Sequence, residues 1–236
     1  MKRDILDRLR EAQAAKEQAV LIRDLADASA SLMIGETVLG NLELDAASVA
    51  DPVATVLHTD KGRIEEIGGR SLFFQPFNPP KRLLLIGAVH IAQFLAPMAR
   101  MADYSVTLID PRTAWATEER FPDTIIDDRW PDEALEALKP DSRTAVVALT
   151  HDPKIDEPGL ETALASPAFY VGALGSKKTH ARRVERLKEA GIGDDAIARI
   201  DAPIGLDIGA VSPAEIAVSI LGSMTLALHG PKRKAA

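Results

Sequence analysis

The chain has no cysteine, few aromatic residues and no long apolar run. Without cysteine there is no disulfide, thiolate nucleophile, zinc ribbon or cysteine-bound iron–sulfur cluster. Aromatic residues make up 4% of the chain, and 35 acidic residues outweigh 28 basic ones, which argues against a nucleic-acid partner. No stretch reaches the ~18 apolar residues of a membrane span, and the charged N-terminus lacks a signal-peptide core. We therefore expect a cytoplasmic protein, without a membrane partner, that works with small molecules or other proteins.

A cluster of prolines divides the chain. Three prolines fall within 76–80, where they cannot continue a helix and suit an edge strand or an extended linker. We predict a small α+β N-terminal domain over 1–75, a linker over 76–80 and a C-terminal domain over 81–230. A basic tail over 231–236 follows.

Apolar runs alternate with helical stretches in the C-terminal domain. This alternation is typical of a parallel sheet covered on both faces, so we predict an α/β fold with a Rossmann-like sheet and helices on both its faces. The predicted strands of this domain lie at 82–86, 106–109, 145–149 and 168–171. Its predicted helices lie at 91–101, 132–138, 157–164, 177–190 and 213–228. The N-terminal domain is predicted to hold a helix at 2–18 and apolar runs at 19–22, 32–34 and 72–74.

The last predicted helix has the clearest start. Ser212-Pro213-Ala214-Glu215 is the pattern of a capping box, with Ser at the N-cap, Pro at N1 and Glu at N3. The helix that follows is largely apolar, and its exposed side could serve a homodimer.

A glycine turn follows the first strand of the C-terminal domain. The segment Gly87-Ala88-Val89-His90-Ile91-Ala92 stands where a Rossmann fold has G-x-G-x-x-G/A, but Val89 replaces the second glycine. Asp110 ends the next strand roughly 20 residues later, the spacing of a ribose-binding acid, and Arg112 follows it. Two interpretations stay open: a dinucleotide-binding fingerprint, or an ordinary turn with a strand-terminal Asp that pairs with Arg112.

Polar residues directly follow the strand at 145–149. Thr150, His151 and Asp152 would lie at the carboxyl end of a parallel strand, where open α/β sheets bind their ligands. His exchanges protons near neutral pH. A binding loop is favoured over a solvated surface loop.

The segment from Gly172 to Lys178 predicts an anion site. A strand enters a loop with Gly172 and Gly175, and Ser176 is placed to cap a helix that opens on Lys177 and Lys178. Free N–H groups and the helix dipole attract anions at such a start. The spacing is not that of a Walker loop, so nucleotide hydrolysis is not predicted. A solvated basic helix face is the alternative.

A glycine-flanked acid lies in the segment 202–210. Asp207 stands between Gly205 and Gly209, a pattern that predicts either a tight loop that presents a carboxylate or a purely structural turn.

Taken in order, these segments resemble the XdhC/CoxI family of xanthine dehydrogenase accessory factors. The resemblance covers about 150 residues, from the prolines nearly to the C-terminus. The segments that carry it are GAVHIA at 87–92, LIDPR at 108–112, ERFPD at 119–123, THD at 150–152, YVGALGSKKTHARR at 170–183 and APIGLDIGAVSPAEIAVSI at 202–220.

The resemblance implies a protein that binds molybdenum cofactor (molybdopterin) transiently, supports its sulfuration by a cysteine desulfurase and delivers it to a molybdenum hydroxylase apoenzyme. No turnover chemistry, catalytic residue or metal ligand is implied. The phosphate of molybdopterin would suit the predicted anion site. The candidate cofactor-binding residues are Gly87, His90, Asp110, Arg112, Thr150, His151, Asp152, Gly172, Gly175, Ser176, Lys177, Lys178 and Asp207.

The sequence departs from the family pattern in two places. The family usually reads GAGHVA where this chain has GAVHIA, and its N-terminal glycine-rich and Gly-Gly-Cys motifs are reduced here, without the cysteine. Two alternatives stay open. One is an NAD(P)-dependent oxidoreductase that uses Gly87 and Asp110, against which Val89 counts, and the other is an assembly scaffold without cofactor, which the reduced N-terminal motifs favour.

Overall fold

The computed structural model describes residues 3–230, which form two compact units that divide between Pro79 and Pro80. The helices are α1 Arg3–Ala14, α2 Ala46–Thr59, α3 His90–Met101, α4 Pro131–Leu138, α5 Pro153–Ala165, α6 Lys177–Glu189, α7 Asp194–Ile197 and α8 Pro213–His229. The strands are β1 Ala19–Asp24, β2 Ala30–Ile34, β3 Thr37–Gly40, β4 Arg63–Ile67, β5 Arg70–Phe77, β6 Lys81–Ile86, β7 Tyr104–Ile109, β8 Ile125–Asp127, β9 Thr144–Ala148, β10 Tyr170–Ala173 and β11 Ile200–Asp201. Lys2, from the predicted first helix, and the predicted tail at 231–236 lie outside the described residues.

The first unit is an antiparallel sheet with the strand order β3-β2-β1-β5-β4. Along β1, Val20 and Ile22 pack in one cluster with residues of α2, while Ala19 and Leu21 pack in another with residues of α1. Successive side chains of a strand point to opposite faces, so a helix covers each face of the sheet. This explains why β1 is an almost continuous apolar run.

Strand β5 contains Pro76 and Phe77, which the sequence predicted to belong to the linker. Pro76 is opposite Val20 of β1, but β4 pairs with β5 only as far as Phe74. The strand is therefore open on one side at Pro76, and a proline there removes no hydrogen bond to β4.

The second unit is a parallel sheet with the strand order β11-β10-β9-β6-β7-β8. In this unit the chain begins at the central strand β6 and adds β7 and then β8 on one side. It then crosses to β9 on the other side of β6, which is the Rossmann strand order. Leu83 and Leu85 of β6 pack in a cluster with residues of α3 and α8, and Leu84 and Ile86 pack in one with residues of α4 to α7. The predicted fold class is confirmed.

Several elements were not predicted. Helix α2 carries Pro52 in its interior, and α5 begins at Pro153 rather than 157, because Asp152 is its N-cap. Strand β3 is exposed along its length and β4 is rich in charge, so neither has an apolar run to reveal it. The short elements β8, α7 and β11 were also missed. Within residues 3–230, no helix is both long and apolar enough to cross a membrane.

The capping box of α8 is present as predicted. The Ser212 hydroxyl accepts from the Glu215 amide at 3.3 Å, and the Glu215 carboxylate accepts from the Ser212 amide at 2.8 Å. We expect Ser212→Ala to lower the free energy of unfolding by about 1 kcal/mol, because it leaves a helix N–H without its cap. Urea unfolding followed by circular dichroism measures the change.

Thr225→Ala is the matched control for this substitution. Thr225 is exposed within α8 and its hydroxyl donates only to the carbonyl of Leu221 in the same helix. Alanine has the higher helix propensity, so the control is expected to cost nothing. Equal losses for the two variants would contradict the capping interpretation.

Candidate functional site

The carboxyl ends of neighbouring strands bring the predicted loops together. Along the edge of the parallel sheet, β10, β9, β6 and β7 follow one another. The loops that leave them therefore lie side by side. In the same order, they are 174–176, 149–152, 87–89 and 110–112.

The Gly87 turn packs tightly on the loop after β9. Gly87 has φ +110°, and its amide donates to the carbonyl of Ile109 at 2.9 Å. A Cβ at this position would lie 2.5 Å from Cγ2 of Thr150. Because β6 and β9 flank the switch point of a Rossmann sheet, this contact lies next to the crevice where such sheets bind a dinucleotide.

Asp110 binds protein groups with both oxygens. It is fully buried, and its Oδ2 accepts from the Ala88 amide at 2.7 Å, while its Oδ1 accepts from the Arg112 amide at 2.9 Å. The Arg112 guanidinium adds bonds of 2.9 and 2.8 Å to the two oxygens. Burial alone would raise the pKa of Asp110, but the hydrogen bonds from Arg112 and Ala88 outweigh it and hold the pKa below its ordinary value.

These contacts weigh against the dinucleotide interpretation. The Ala88 N–H, a donor that the glycine turn would offer to a pyrophosphate, is bound to Asp110 instead. Val89 occupies the position of the second glycine and is half-buried. The geometry favours an ordinary βα turn braced by a buried acid.

The loop after β9 is built around a buried acid that was not predicted from the sequence. Asp156, only 1% exposed, accepts from the Thr150 amide at 3.2 Å, the Thr150 hydroxyl at 2.7 Å and the His151 amide at 3.1 Å. Burial raises the pKa of Asp156, although the bonds from Thr150 oppose the shift. His151 is exposed and has φ +64°, and Asp152 caps α5 by accepting from the Lys154 amide at 3.0 Å. Asp156 lies one helical turn after that N-cap, a spacing that could have pointed to it.

The loop after β10 leads into the basic helix α6 as predicted. Gly175 has φ +144°, and Ser176 caps the helix by accepting from the Thr179 amide at 3.1 Å. Lys177 and Lys178 are exposed and form no ion pair with the part of the chain that the structure describes. The first N–H groups of a helix lack intrahelical partners, so positive charge and free donors coincide at this helix start.

Three further basic residues of α6, Arg183, Arg186 and Lys188, contact other parts of the chain. Arg186 pairs with Glu157, with its Nε 2.9 Å from each carboxylate oxygen, and Lys188 contacts Asp194 at 2.6 Å. Arg183 is 3% exposed, and its Nη2 donates to the carbonyl of Leu174 at 2.9 Å. The basic face of α6 is thus exposed at Lys177, Lys178 and Arg182, and the later basic residues contact the protein.

A cleft of ≈ 450 Å³ opens between the loop after β10 and the loop before α8. The loop before α8 is fixed by Asp201, whose Oδ2 accepts from the Tyr170 hydroxyl at 2.5 Å, the Gly205 amide at 3.1 Å and the Ser223 hydroxyl at 2.7 Å. The residues that line the cleft are Leu174, Gly175, Lys177, Pro203, Ile204, Gly205, Leu206, Asp207, Ile208, Gly209, Ala210, Ile216 and Ser219. The cleft is thus mostly apolar, with one cation and one acid.

The family model of the XdhC Rossmann domain matches residues 83–224, more than half of the chain. The chain belongs to the XdhC family. The match begins in β6 and ends in α8, so it contains every loop described above.

Two curated relatives each match about two thirds of this chain. A Bacillus subtilis protein, named as a probable subunit of xanthine dehydrogenase, is 32% identical over 156 residues, covering 65% of this chain and 45% of its own length. The Escherichia coli molybdenum cofactor insertion chaperone PaoD is 31% identical over 154 residues, covering 65% of this chain and 42% of its own length. The aligned part thus spans less than half the length of each relative.

A crystal structure matches nearly the whole chain. It is that of a xanthine dehydrogenase from Bacillus halodurans, with a TM-score of 0.70 and 22% identity, and the match covers 99% of this chain and 66% of the other. At this identity the match shows the fold, including that of the first unit.

In the XdhC domain, the predicted site residues fall into groups. Gly175, Lys177 and Asp207 line the cleft. Gly172 lies in β10 beside it, where a Cβ would come within 2.6 Å of Cδ1 of Ile204. A second group lies at the switch point or in the loop after β9 and lines no part of the cleft; it comprises Gly87, Asp110, Arg112, Thr150, His151 and Asp152. His90 begins α3, Ser176 caps α6, and Lys178 is exposed on its first turn.

Residues 202–210 contribute more to the site than the sequence predicted. The prediction singled out Asp207 in this loop, but the loop as a whole, with Ile204, Leu206 and Ile208, forms much of the cleft wall. Among residues 3–230, no three His, Asp or Glu side chains gather as a metal site would require.

Proposed function

We propose that this protein is an accessory factor that binds molybdenum cofactor in the cleft beside α6 and assists its sulfuration and its insertion into a molybdenum hydroxylase of the xanthine dehydrogenase or CO dehydrogenase type. The observation that carries the proposal is a mostly apolar cleft with Lys177 on its wall, at the start of a basic helix. The names of two relatives, one a molybdenum cofactor insertion chaperone and the other part of a xanthine dehydrogenase, support it.

The cleft suits one end of the cofactor. Lys177 and the free N–H groups at the start of α6 would hold the phosphate, because charge-assisted hydrogen bonds to phosphate are strong. Apolar walls such as Ile204 and Leu206 would cover the flat pterin, and Asp207 could accept from its N–H groups. Nothing in the chain offers a thiolate to molybdenum, since there is no cysteine. The bound group supplies the chemistry that a client enzyme uses, and this chain supplies binding and protection.

The proposal includes the partners of this protein and the compartment in which it acts. A molybdenum hydroxylase apoenzyme would receive the cofactor and a cysteine desulfurase would supply sulfur, in the cytoplasm, with this protein doing no turnover chemistry. A homodimer through α8 is part of the proposal, supported by exposed apolar side chains on that helix, Val218 and Leu226.

Anaerobic titration of the purified protein with molybdenum cofactor tests the proposal. We expect saturable binding, and parallel fluorescence titrations with NADH and NADPH are expected to show none, because Ala88 and Asp110 bind each other. Failure to bind molybdenum cofactor, with and without the partner enzyme, would overturn the proposal. Binding of NADH or NADPH alone would favour the oxidoreductase.

The charges at the start of α6 should set the affinity. We expect Lys177→Gln with Lys178→Gln to weaken cofactor binding about ten- to a hundred-fold, since each charge-assisted hydrogen bond to phosphate contributes about 1.5–3 kcal/mol before solvent screening. Added salt should weaken the wild type more than this variant. The control, Lys16→Gln with Lys61→Gln, removes the same charge from exposed positions of the first unit and should bind normally.

The assembly scaffold is kept as a second candidate because the chain lacks the thiol of its family's N-terminal motif. A scaffold would co-purify with a molybdenum hydroxylase and still mature it after both lysines are replaced. If the double lysine variant co-purifies but no longer matures the enzyme, cofactor handling is supported and the scaffold fails.

A further inference from the structure

Two buried charged residues lie behind the loops of the candidate site. Asp156 on α5 is 1% exposed and Arg183 on α6 is 3% exposed. The sequence predicted no role for Asp156 or for Arg183, which is the last residue of the segment YVGALGSKKTHARR. Each is bonded to the backbone of a different site loop.

Asp156 organises the loop after β9. Its Oδ1 accepts from the amide and the hydroxyl of Thr150, and its Oδ2 accepts from the amide of His151. The Thr150 hydroxyl in turn accepts from the Asp152 amide at 3.0 Å. The carboxylate therefore fixes the backbone at 150–151, including the left-handed conformation of His151, φ +64°, which few non-glycine residues adopt.

Arg183 organises the loop after β10. Side chains of a helix lean toward its N-terminus, so the guanidinium reaches back to the carbonyl of Leu174, just before the helix. Leu174 lines the cleft, as do Gly175 and Lys177 beyond it. The second arm of the guanidinium, Nη1, is buried and has no hydrogen-bond partner among the residues described.

The burial of these two charged side chains is unfavourable for the stability of the fold. Neither residue forms an ion pair within the described part of the chain, and a buried charge without a close partner is unfavourable. Burial raises the pKa of Asp156 and lowers that of Arg183, so the charged form of each is disfavoured by its surroundings. Groups kept in this state at the carboxyl edge of a Rossmann sheet are typical of functional sites.

We propose that Asp156 and Arg183 are positioning residues that together set the 150–152 and 174–176 loops for ligand binding, a role that rests on the proposed function. The two residues lie on helices that the Arg186–Glu157 ion pair joins, and each holds a loop from one of two neighbouring strands, β9 or β10. A shift of one helix would therefore move both loops. Neither residue is assigned a direct contact with the ligand.

The variants Asp156→Asn, Arg183→Gln and Arg183→Lys test this role in the full chain. Three measurements are made on each: anaerobic titration with molybdenum cofactor, hydrogen exchange of the amides at 150 and 151, and thermal unfolding. The control, Asp24→Asn, changes another buried carboxylate, one that accepts from an Arg and a backbone amide in the first unit.

We expect Asp156→Asn and Arg183→Gln to bind about ten-fold more weakly than the wild type, the effect of one lost buried hydrogen bond. Amide exchange at 150 and 151 should become faster in Asp156→Asn, since the amide nitrogen of Asn cannot accept. Arg183→Lys keeps the charge but not the planar fork, and should recover part of the affinity lost in Arg183→Gln. Asp24→Asn should bind as the wild type does, whatever it does to unfolding.

Wild-type affinity and unchanged amide exchange in Asp156→Asn would overturn the inference. So would a loss of binding in Asp24→Asn as large as in Asp156→Asn, because the effect would then follow general destabilisation. If Asp156→Asn does not fold, the two Arg183 variants decide the question. An affinity that falls from wild type to Arg183→Lys and again to Arg183→Gln supports the inference, and equal affinities overturn it. If the wild type itself does not bind, the proposed function fails, and the positioning of the loops is judged on amide exchange alone.

Discussion

Replacing Gly87 with alanine is expected to lower the free energy of unfolding by about 3 kcal/mol, through backbone strain and overpacking together. The backbone at Gly87 has φ +110°, which a side chain disfavours. The added Cβ would also lie 2.5 Å from Cγ2 and 3.3 Å from the amide nitrogen of Thr150. Because the second neighbour is backbone, the strand ends must move apart to make room.

A second glycine separates strain from overpacking. Gly191, after α6, has φ +87° with nothing within 4 Å of an added Cβ. Gly191→Ala should therefore show the strain alone, about 1 kcal/mol. Urea unfolding of both variants gives the comparison, and equal losses would mean that Gly87 does not pack on Thr150 as described.

The turn at Gly87 could be predicted from the sequence, but its packing partner could not. The apolar runs predicted β6 and β9, and the motif predicted a tight turn at the end of β6, because both depend on local residue order. Which loop faces the turn depends on strand order. The chain visits β7 and β8 before it returns to β9, so the contact between Gly87 and Thr150 joins residues far apart in sequence.

The buried groups were harder to predict than the exposed ones. Lys177 and Lys178 stand out in an acidic chain, whereas Asp156 lay outside the predicted helix at 157–164 and Arg183 is one of several cations in the predicted helix at 177–190. The spacing of Asp156 from the N-cap Asp152 could place it on the first turn of α5, but the burial of both residues comes from the packing of α5 and α6 against the sheet. Helix α2 was missed for a different reason, since Pro52 in its interior masks the helical pattern.

Asp110 lies at the end of β7 as predicted, and its partners are Arg112 and the Ala88 amide. Its spacing from Gly87 left open a ribose-binding acid or a strand-terminal Asp that pairs with Arg112, and in the structure it binds Arg112 and the Ala88 amide of the glycine turn. The spacing could not tell whether the carboxylate would meet a ribose or the turn itself. The identity of Val89 favoured the second outcome, because a side chain there hinders a bound pyrophosphate.

Replacing Asp110 with asparagine is therefore expected to act on stability, lowering the free energy of unfolding by about 3 kcal/mol at neutral pH. Asparagine keeps the shape, but its amide would face donors from Ala88 or Arg112 in place of an acceptor oxygen. Asp127 provides the matched control, since it binds Arg129 two residues later in the same way, at 2.9 Å from Nε, but is partly exposed. Asp127→Asn should cost about 1 kcal/mol or less.

The pH dependence identifies the ionised carboxylate as the source of that stability. The pKa of Asp110 is lower in the folded chain than in the unfolded one, so its contribution is complete above the unfolded pKa of about 4 and is lost as the pH falls through the folded pKa. The difference in unfolding free energy between wild type and Asp110→Asn should be constant near neutral pH and shrink in acid. Urea titrations from neutral pH down to about 3 measure it. A difference that stays constant into acid would show that Asp110 braces the turn by shape rather than by charge.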